Sequence, residues 1–285
     1  MQLLRLADVP LNPRDRVFRY SRLRAVVGAT ILAVIALAAF LFGWLKNVWL
    51  AYYVAAVFVF CLLIFQKLVT ARFRPSNWLL RMTDHGMFVK FRSYLNHHFD
   101  DQDMTVVFLP YSEIRSARLL KQRQELPDRN DRNQPGTSTQ TRRLLELVLA
   151  GDSTEFADAL AKERERVFTK TNRGAVKVSS RYQHFPVRLA SPTLLRIEWG
   201  VVPRIQTILD ALRRHTLVQA AGEASQNYAN LDQLSRQEQE TRLLELAESG
   251  DMIGAITIAR QLYSYDLTAA KQFVEGLMIK QPARR

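Results

Sequence analysis

Two stretches near the start of the chain carry no charge. Ala25 to Leu45 reads AVVGATILAVIALAAFLFGWL, 21 residues, and Val48 to Phe65 reads VWLAYYVAAVFVFCLLIF, 18 residues. A bilayer's hydrocarbon core is about 30 Å thick and needs roughly 20 helical residues at about 1.5 Å each. The first stretch meets that length. The second does so if its helix continues past Gln66 to about residue 69 and Lys67 extends toward the interface. Helices in the core of a soluble protein seldom stay uncharged for so long. A cleaved leader has an apolar run of only about 7–15 residues, with no second run directly behind it. Lys46 and Asn47 alone separate the runs, so the two helices must be antiparallel neighbours. Ala25, Ala29 and Ala33 recur on one face of the first, and Ala51 and Ala55 on one face of the second. Small residues at that spacing let helices approach closely in lipid. Trp44, Trp49, Tyr52 and Tyr53 gather at one end of the pair, as an interfacial aromatic belt would.

The charges around these runs give an orientation. Six Arg precede the first run, Lys67, Arg72, Arg74 and Arg81 follow the second, and the turn holds one Lys. Basic flanks stay on the cytoplasmic side. A hairpin of spans at about 25–45 and 48–69 in the cytoplasmic (inner) membrane is therefore expected, with both termini cytoplasmic. The chain has 40 Lys and Arg against 27 Asp and Glu, a net charge of +13. The N-terminal part of that excess, residues 1–24, is explained by topology without nucleic acid. The aromatic and basic residues of KFRSYLNHHF coincide with an apolar strand, so nucleic acid is not a favoured partner. Cys61 is the single cysteine. No internal disulfide can form, and its place inside the second run makes it a poor nucleophile.

From residue 75 the pattern shortens to strands. NWLLRMTDHGMFVKFRSYL reads as a hairpin turning at Asp84–His85–Gly86. TVVFLPYSEIRSARLLKQ gives a strand to Leu109, a break at Pro110 and a strand from about Ile114. Residues 121–141 read as a polar loop, 142–150 as a strand, and DSTEFADALAKERERVF as an inserted helix at about 153–168 capped by Asp152 or Ser153. YQHFPVRL and LLRIEW add two strands. In VVPRIQTILDALRRH, Val202, Ile205, Ile208, Leu209 and Leu212 repeat at helical spacing. Strands followed by one amphipathic helix predict a partly open barrel that the helix closes. The fold class is thus α+β, with an apolar helical hairpin, a strand-rich domain over 75–216, a linker over 217–237 and a small helical tail over 238–279. In the tail, Asp251 is placed to cap a helix, and apolar faces are expected at Ile253, Ile256 and Leu262 and at Leu267, Ala270, Val274 and Leu277.

NWLLRMTDHGMFVKF, FLPYSEIRSARL and LLRIEWGVVPRIQTILDAL together resemble the pleckstrin-homology-like domains of bacterial membrane proteins. The resemblance implies a binding or scaffolding module. GAITIARQLYSYDLTAAKQFVEGL, residues 254–277, is similar to the helix pair in the C-terminal domain of the bacterial ribosomal stalk protein. The matching features include Arg260, Lys271 and Glu275, and the glycine-rich turn is replaced by YSYD. That similarity implies a protein-interaction appendage.

Arg115, Arg118, Lys121 and Arg123 form a basic stripe that could meet anionic headgroups or a partner protein, each cation contributing about 1 kcal/mol near a charged surface. A solvated basic edge strand explains the same residues. NHHFDDQD crowds His97, His98, Asp100, Asp101 and Asp103 into one stretch. It reads most simply as a polar loop between strands, because no second His or Cys group is spaced to complete a metal shell. No glycine-rich phosphate loop, serine elbow or paired-cysteine spacing is present, so no catalytic, cofactor or metal residues are assigned. The expected function is a non-enzymatic membrane adaptor or sensor that binds a protein, or else anionic lipid, at the cytoplasmic face, with homo-oligomers left open. The rival is an accessory subunit of a membrane enzyme or transporter complex.

Overall fold

The structure is a computed structural model. It describes the chain except residues 11, 101–102, 130–134, 152, 167–168, 173–174, 179–182, 228–230, 232–233, 249–250 and 281–285. Two short strands, β1 (Gln2–Arg5) and β2 (Arg16–Tyr20), lead into the long helices α1 (Arg22–Lys46) and α2 (Trp49–Ala71). The Ser21 side chain accepts from the Arg24 N–H and starts α1. Asn47, in the left-handed region at φ 51°, ends it, a conformation asparagine tolerates better than most residues.

Both helices are long and apolar enough to cross a membrane, and only 11% of the most apolar window of each is buried. That is far from a core helix, most of whose surface would be covered. The seam between them uses Ala25, Ala29, Leu32, Ala36, Ala39 and Gly43, with Ala51, Ala55, Phe58 and Leu62 opposite. These positions step by four and three, the 3.5-residue period of left-handed helix pairs. Ala33 therefore points outward, and the expected run of alanines four apart drifts off the seam after Ala29. A Cβ on Gly43 would sit 3.3 Å from Ala51 and Tyr52, so the helices close up around a missing side chain there.

After α2 come β3 (Leu80–Met82), β4 (Gly86–Lys90) and β5 (Thr105–Pro110). They join one six-stranded sheet in the order β1-β5-β4-β3-β2, completed by β12 (Val201–Val202). Residues 1–24 are thus more than a basic flank. Gln2 to Arg5 pair with Phe108 to Thr105, and Arg16 to Phe18 pair with Met82 to Leu80. At the β3–β4 turn, Gly86 lies so close to the Leu109 carbonyl that a Cβ would overlap it at 2.4 Å.

The second sheet is built on β6 (Ile114–Arg129) and β7 (Pro135–Leu149). These strands run through most of the segment 121–141 that composition marks as a loop. Cross-strand pairing from Ile114 to Arg129 overrides its polar sequence. The inserted helix α3 (Thr154–Glu165) begins at Ser153, whose hydroxyl bonds the Pro192 carbonyl, while Asp152 lies outside the described residues. The small hairpin β8 (Thr169–Asn172) and β9 (Ala175–Val178) follows, then β10 (Val187–Ser191) and β11 (Leu194–Glu198), which extend the second sheet beside β7. Helix α4 (Ile205–Leu212) comes next. β13 (Leu217–Val218) and β14 (Gly222–Asn227) then lie parallel to β6. Residues 217–227, expected as linker, are therefore mostly sheet. The architecture is α+β, with antiparallel sheets that carry these two parallel additions.

One core joins the two sheets. Phe18, Leu79, Met87 and Val107 of the first meet Leu145, Leu147, Leu195 and Ile197 of the second, and Ile205, Ile208, Leu209 and Leu212 of α4 close it, while Val202, expected in the same stripe, pairs in β12 and is exposed. Each fully buried leucine or isoleucine contributes about 1.5–3 kcal/mol. From α3, Phe156 and Leu160 enter the same core.

The tail folds as three helices, α5 (Arg236–Glu248), α6 (Met252–Tyr263) and α7 (Leu267–Lys280). Ser235 and Glu238 form a reciprocal capping box, and the Asp251 carboxylate caps α6 through Gly254, as the sequence predicts. The buried face of α6 is Ala255, Ile258 and Ala259, with the expected Ile256 and Leu262 packed against it, while Ile253 falls outside. Ile253 is 70% exposed and Leu267 62% exposed.

Candidate functional site

The connections between hairpin and sheets are short, so the ends of α1 and α2 are held against the domain. The Arg72 guanidinium donates to the Ser21 carbonyl at 3.1 Å and to the Tyr94 hydroxyl, and it stacks over the Tyr94 ring at 4.4 Å. From the other helix, Arg22 donates to the Arg72 carbonyl at 3.4 Å and lies over Phe73. Asn77 is buried and its amide bonds the carbonyls of Tyr20 and Arg72. Between these contacts lies a cavity of about 230 Å³, lined by Tyr20, Ser21, Arg24, Arg72, Tyr94 and Glu198 among others. It is smaller than the roughly 300–1,000 Å³ typical of drug-sized ligands.

The cavity has an aromatic wall, a cationic mouth and an acidic side. Tyr20 and Tyr94 pack ring to ring with centroids 4.7 Å apart. The Tyr20 hydroxyl is buried with no hydrogen bond of normal geometry, although Ser93 lies beside it. Burial, aided by Glu198 and Tyr94, pushes its pKa well above the ordinary phenol value, so it stays protonated. Glu198 faces His184 at 3.5 Å and Arg188 at 3.8 Å. Burial pushes its carboxyl up, but His184, Arg142 and Arg188 outweigh burial and hold it below the ordinary range.

A carboxylate depressed in the folded state contributes stability that is fully present above its unfolded pKa and lost as pH falls through its folded value. Replacing Glu198 with Gln is expected to cost about 1–3 kcal/mol at neutral pH, the scale of hydrogen bonds to a charged group. It should also flatten the acid limb of the unfolding curve. Thermal unfolding across an acid pH series checks this. An unchanged acid limb in the variant would remove Glu198 from the account.

The histidine and aspartate cluster NHHFDDQD resolves into structure. Asn96 accepts from the His184 N–H at 3.1 Å. Phe99 stacks on the Arg92 guanidinium at 3.8 Å. Asp103 pairs with Arg166 and lies 3.5 Å from Arg5. His97 and His98 pack edge to face, 5.8 Å between centroids. Asp101 lies outside the described residues. Among the described residues, no His, Cys, Asp or Glu group is arranged to hold a metal ion.

The basic stripe is divided by the pleat. Arg118 lies in a row with Glu146 and Arg196 across β6, β7 and β11, and both arginines pair with the fully buried Glu146 carboxylate. Lys121 pairs with Glu223 of β14 at 3.2 Å, and Arg123 lies 3.4 Å from Glu125. Arg115 is exposed and makes no ion pair among the described residues. In the tail, Arg260 is exposed on α6, while Lys271 and Glu275 face each other one turn apart on α7 at 3.7 Å. The junction cavity was not visible in the sequence as a site. Arg24 and Arg72 could be read only as topology signals, because Tyr94 and Glu198, which line the same cavity, are distant in sequence.

Comparison of the chain with protein-family models, with curated proteins and with solved structures finds no match.

Proposed function

We propose that this chain is a non-enzymatic integral membrane adaptor or sensor. In this reading α1 and α2 cross the cytoplasmic membrane, the two-sheet domain is a pleckstrin-homology-like module at its cytoplasmic face, and α5–α7 offer a protein-binding surface. The observation that carries the reading is the contrast between two kinds of surface. The hairpin turns large apolar side chains such as Val34, Leu37, Phe60 and Leu63 outward, while both its ends are tied to a domain whose apolar core is closed. Contiguous exposed apolar surface on that scale needs a membrane or a partner to cover it. Two sheets sharing a core that α4 closes support the pleckstrin-homology-like reading. The basic flanks support the cytoplasmic orientation. The buried ion pairs tie elements together, which favours binding over catalysis as their purpose. Pairing of Arg118, Lys121 and Arg123 within the chain favours a protein over lipid as partner for that stripe.

The outward apolar faces also suit the rival reading, a subunit of a larger membrane complex that uses α1 and α2 as its contact. Affinity capture from membranes with the full chain separates the two. Partners lost when Ile253 and Leu267 are changed to Glu support the adaptor. Partners that survive those changes, and are lost when outward residues of α1 are exchanged for other apolar residues, support the subunit. A reporter fused to the C-terminus should be active in the cytoplasm, and periplasmic activity would overturn the orientation.

A further inference from the structure

The geometry points to the cavity at the helix–sheet junction as a binding site for a phosphate group, the phosphodiester of a lipid headgroup. The site rests on the membrane reading for the source of the phosphate but not for its chemistry.

Three features converge there. Arg24, one turn into α1, lines the cavity, is exposed, and makes no ion pair among the described residues. It is therefore a cation not yet used by the fold. The first turn of α1 lies against the same space, beginning at Ser21, and a 25-residue helix presents partial positive charge at that end. Tyr20 lines the cavity, and its buried hydroxyl makes no hydrogen bond of normal geometry, with Ser93 as the polar side chain beside it. A buried hydroxyl gains from a well-placed acceptor, and a phosphate oxygen would supply one.

The other charges facing the cavity fit that assignment. Arg72 is held in place by Ser21 and Tyr94 and adds a second positive charge at the mouth. Glu198, the acidic group, also lines the cavity together with His184, and its charge is engaged by His184 and Arg188. The cavity is of headgroup size and lies where the apolar surface of the helices stops. A lipid seated beside α1 and α2 would bring its phosphodiester to this level with its acyl chains along the hairpin.

The full chain, purified in a neutral detergent, is titrated with a short-chain phosphatidylglycerol and separately with inorganic phosphate, and binding is followed by calorimetry. Saturable binding near one equivalent is expected for the wild type. Arg24→Ala and Tyr20→Phe should each weaken it about tenfold to a hundredfold, the scale of one charge-assisted hydrogen bond, with the unfolding temperature of Arg24→Ala unchanged because Arg24 supports no other element. Arg24→Lys should recover part of the loss. Binding of the lipid that inorganic phosphate does not reproduce assigns the headgroup. Binding of inorganic phosphate with the same losses supports the site with a soluble source, and this arm stands even if the chain fails to float with membranes. Binding that neither variant changes, or no saturable binding of either ligand, overturns the proposal.

Discussion

Replacing Arg92 with Ala is expected to lower the stability of the domain by about 3–5 kcal/mol, the cost of leaving a buried charge without its partner. The Arg92 side chain has no exposure, and Glu163, from the inserted helix α3, is only 2% exposed. The guanidinium donates to the Glu163 carboxylate and carbonyl and to Gln183 at 2.9 Å, and lies between the rings of Phe99 and Phe185 at 3.8 and 4.8 Å. The second Glu163 oxygen accepts from Thr105 at 2.8 Å and Arg166 at 3.0 Å. One residue therefore holds α3, the loop containing Phe99 and the segment around Gln183 to the first sheet. Glu163→Ala should cost a similar amount, and the double variant less than the two together, because each single change strands the same partner. Thermal unfolding of the full chain in detergent measures all three. A loss below about 1 kcal/mol for Arg92→Ala, or strict additivity in the pair, would show that the contacts do not act as one unit.

The second large effect concerns the hairpin. Val34 lies in the middle of α1 and is 58% exposed. If that face meets lipid, Val34→Arg should raise the apparent insertion free energy by about 3–4 kcal/mol. The readout is the share of the chain that floats with membranes after alkaline extraction, which should fall sharply. A control at Ala33, also outward-facing, changed to Leu should leave that share intact. Wild-type protein that stays in the soluble fraction, with Val34→Arg folding equally well, would sink the membrane reading outright.

Much of this fold could be read from the sequence because local signals and long-range packing agree. The helices of the hairpin, the Asp84–His85–Gly86 turn, the capping Asp251 and the apolar stripe of α4 are each specified by a few neighbouring residues. Elsewhere distant pairing decides. Residues 121–129 and 135–141 look like a loop because their side chains are polar, yet β6 and β7 extend through them on main-chain bonds that polar residues make as well as apolar ones. Gly222 to Asn227 look like a linker for the same reason, and pair with Leu120 to Glu125. The candidate site was hidden more deeply. Tyr20, Arg72, Tyr94 and Glu198 come from four separate parts of the chain, and nothing in their spacing announces a cavity. Of the cluster that most resembled chemistry, NHHFDDQD, Phe99 and Asp103 contact Arg92, Arg166 and Arg5, arginines that the sequence alone does not single out.

The pairing of β2 with β3 and β12 bears on how the protein is made. Residues 16–18 leave the ribosome well before their partners at 80–82, and Tyr20 must wait for Val201. The hairpin of α1 and α2 lies between, so β2 can join its sheet only after both helices have been synthesised and brought back to the same side. Under the membrane proposal, a chain that inserted only one helix would leave β2 across the bilayer from its partners β3 and β12, with those strand edges unpaired.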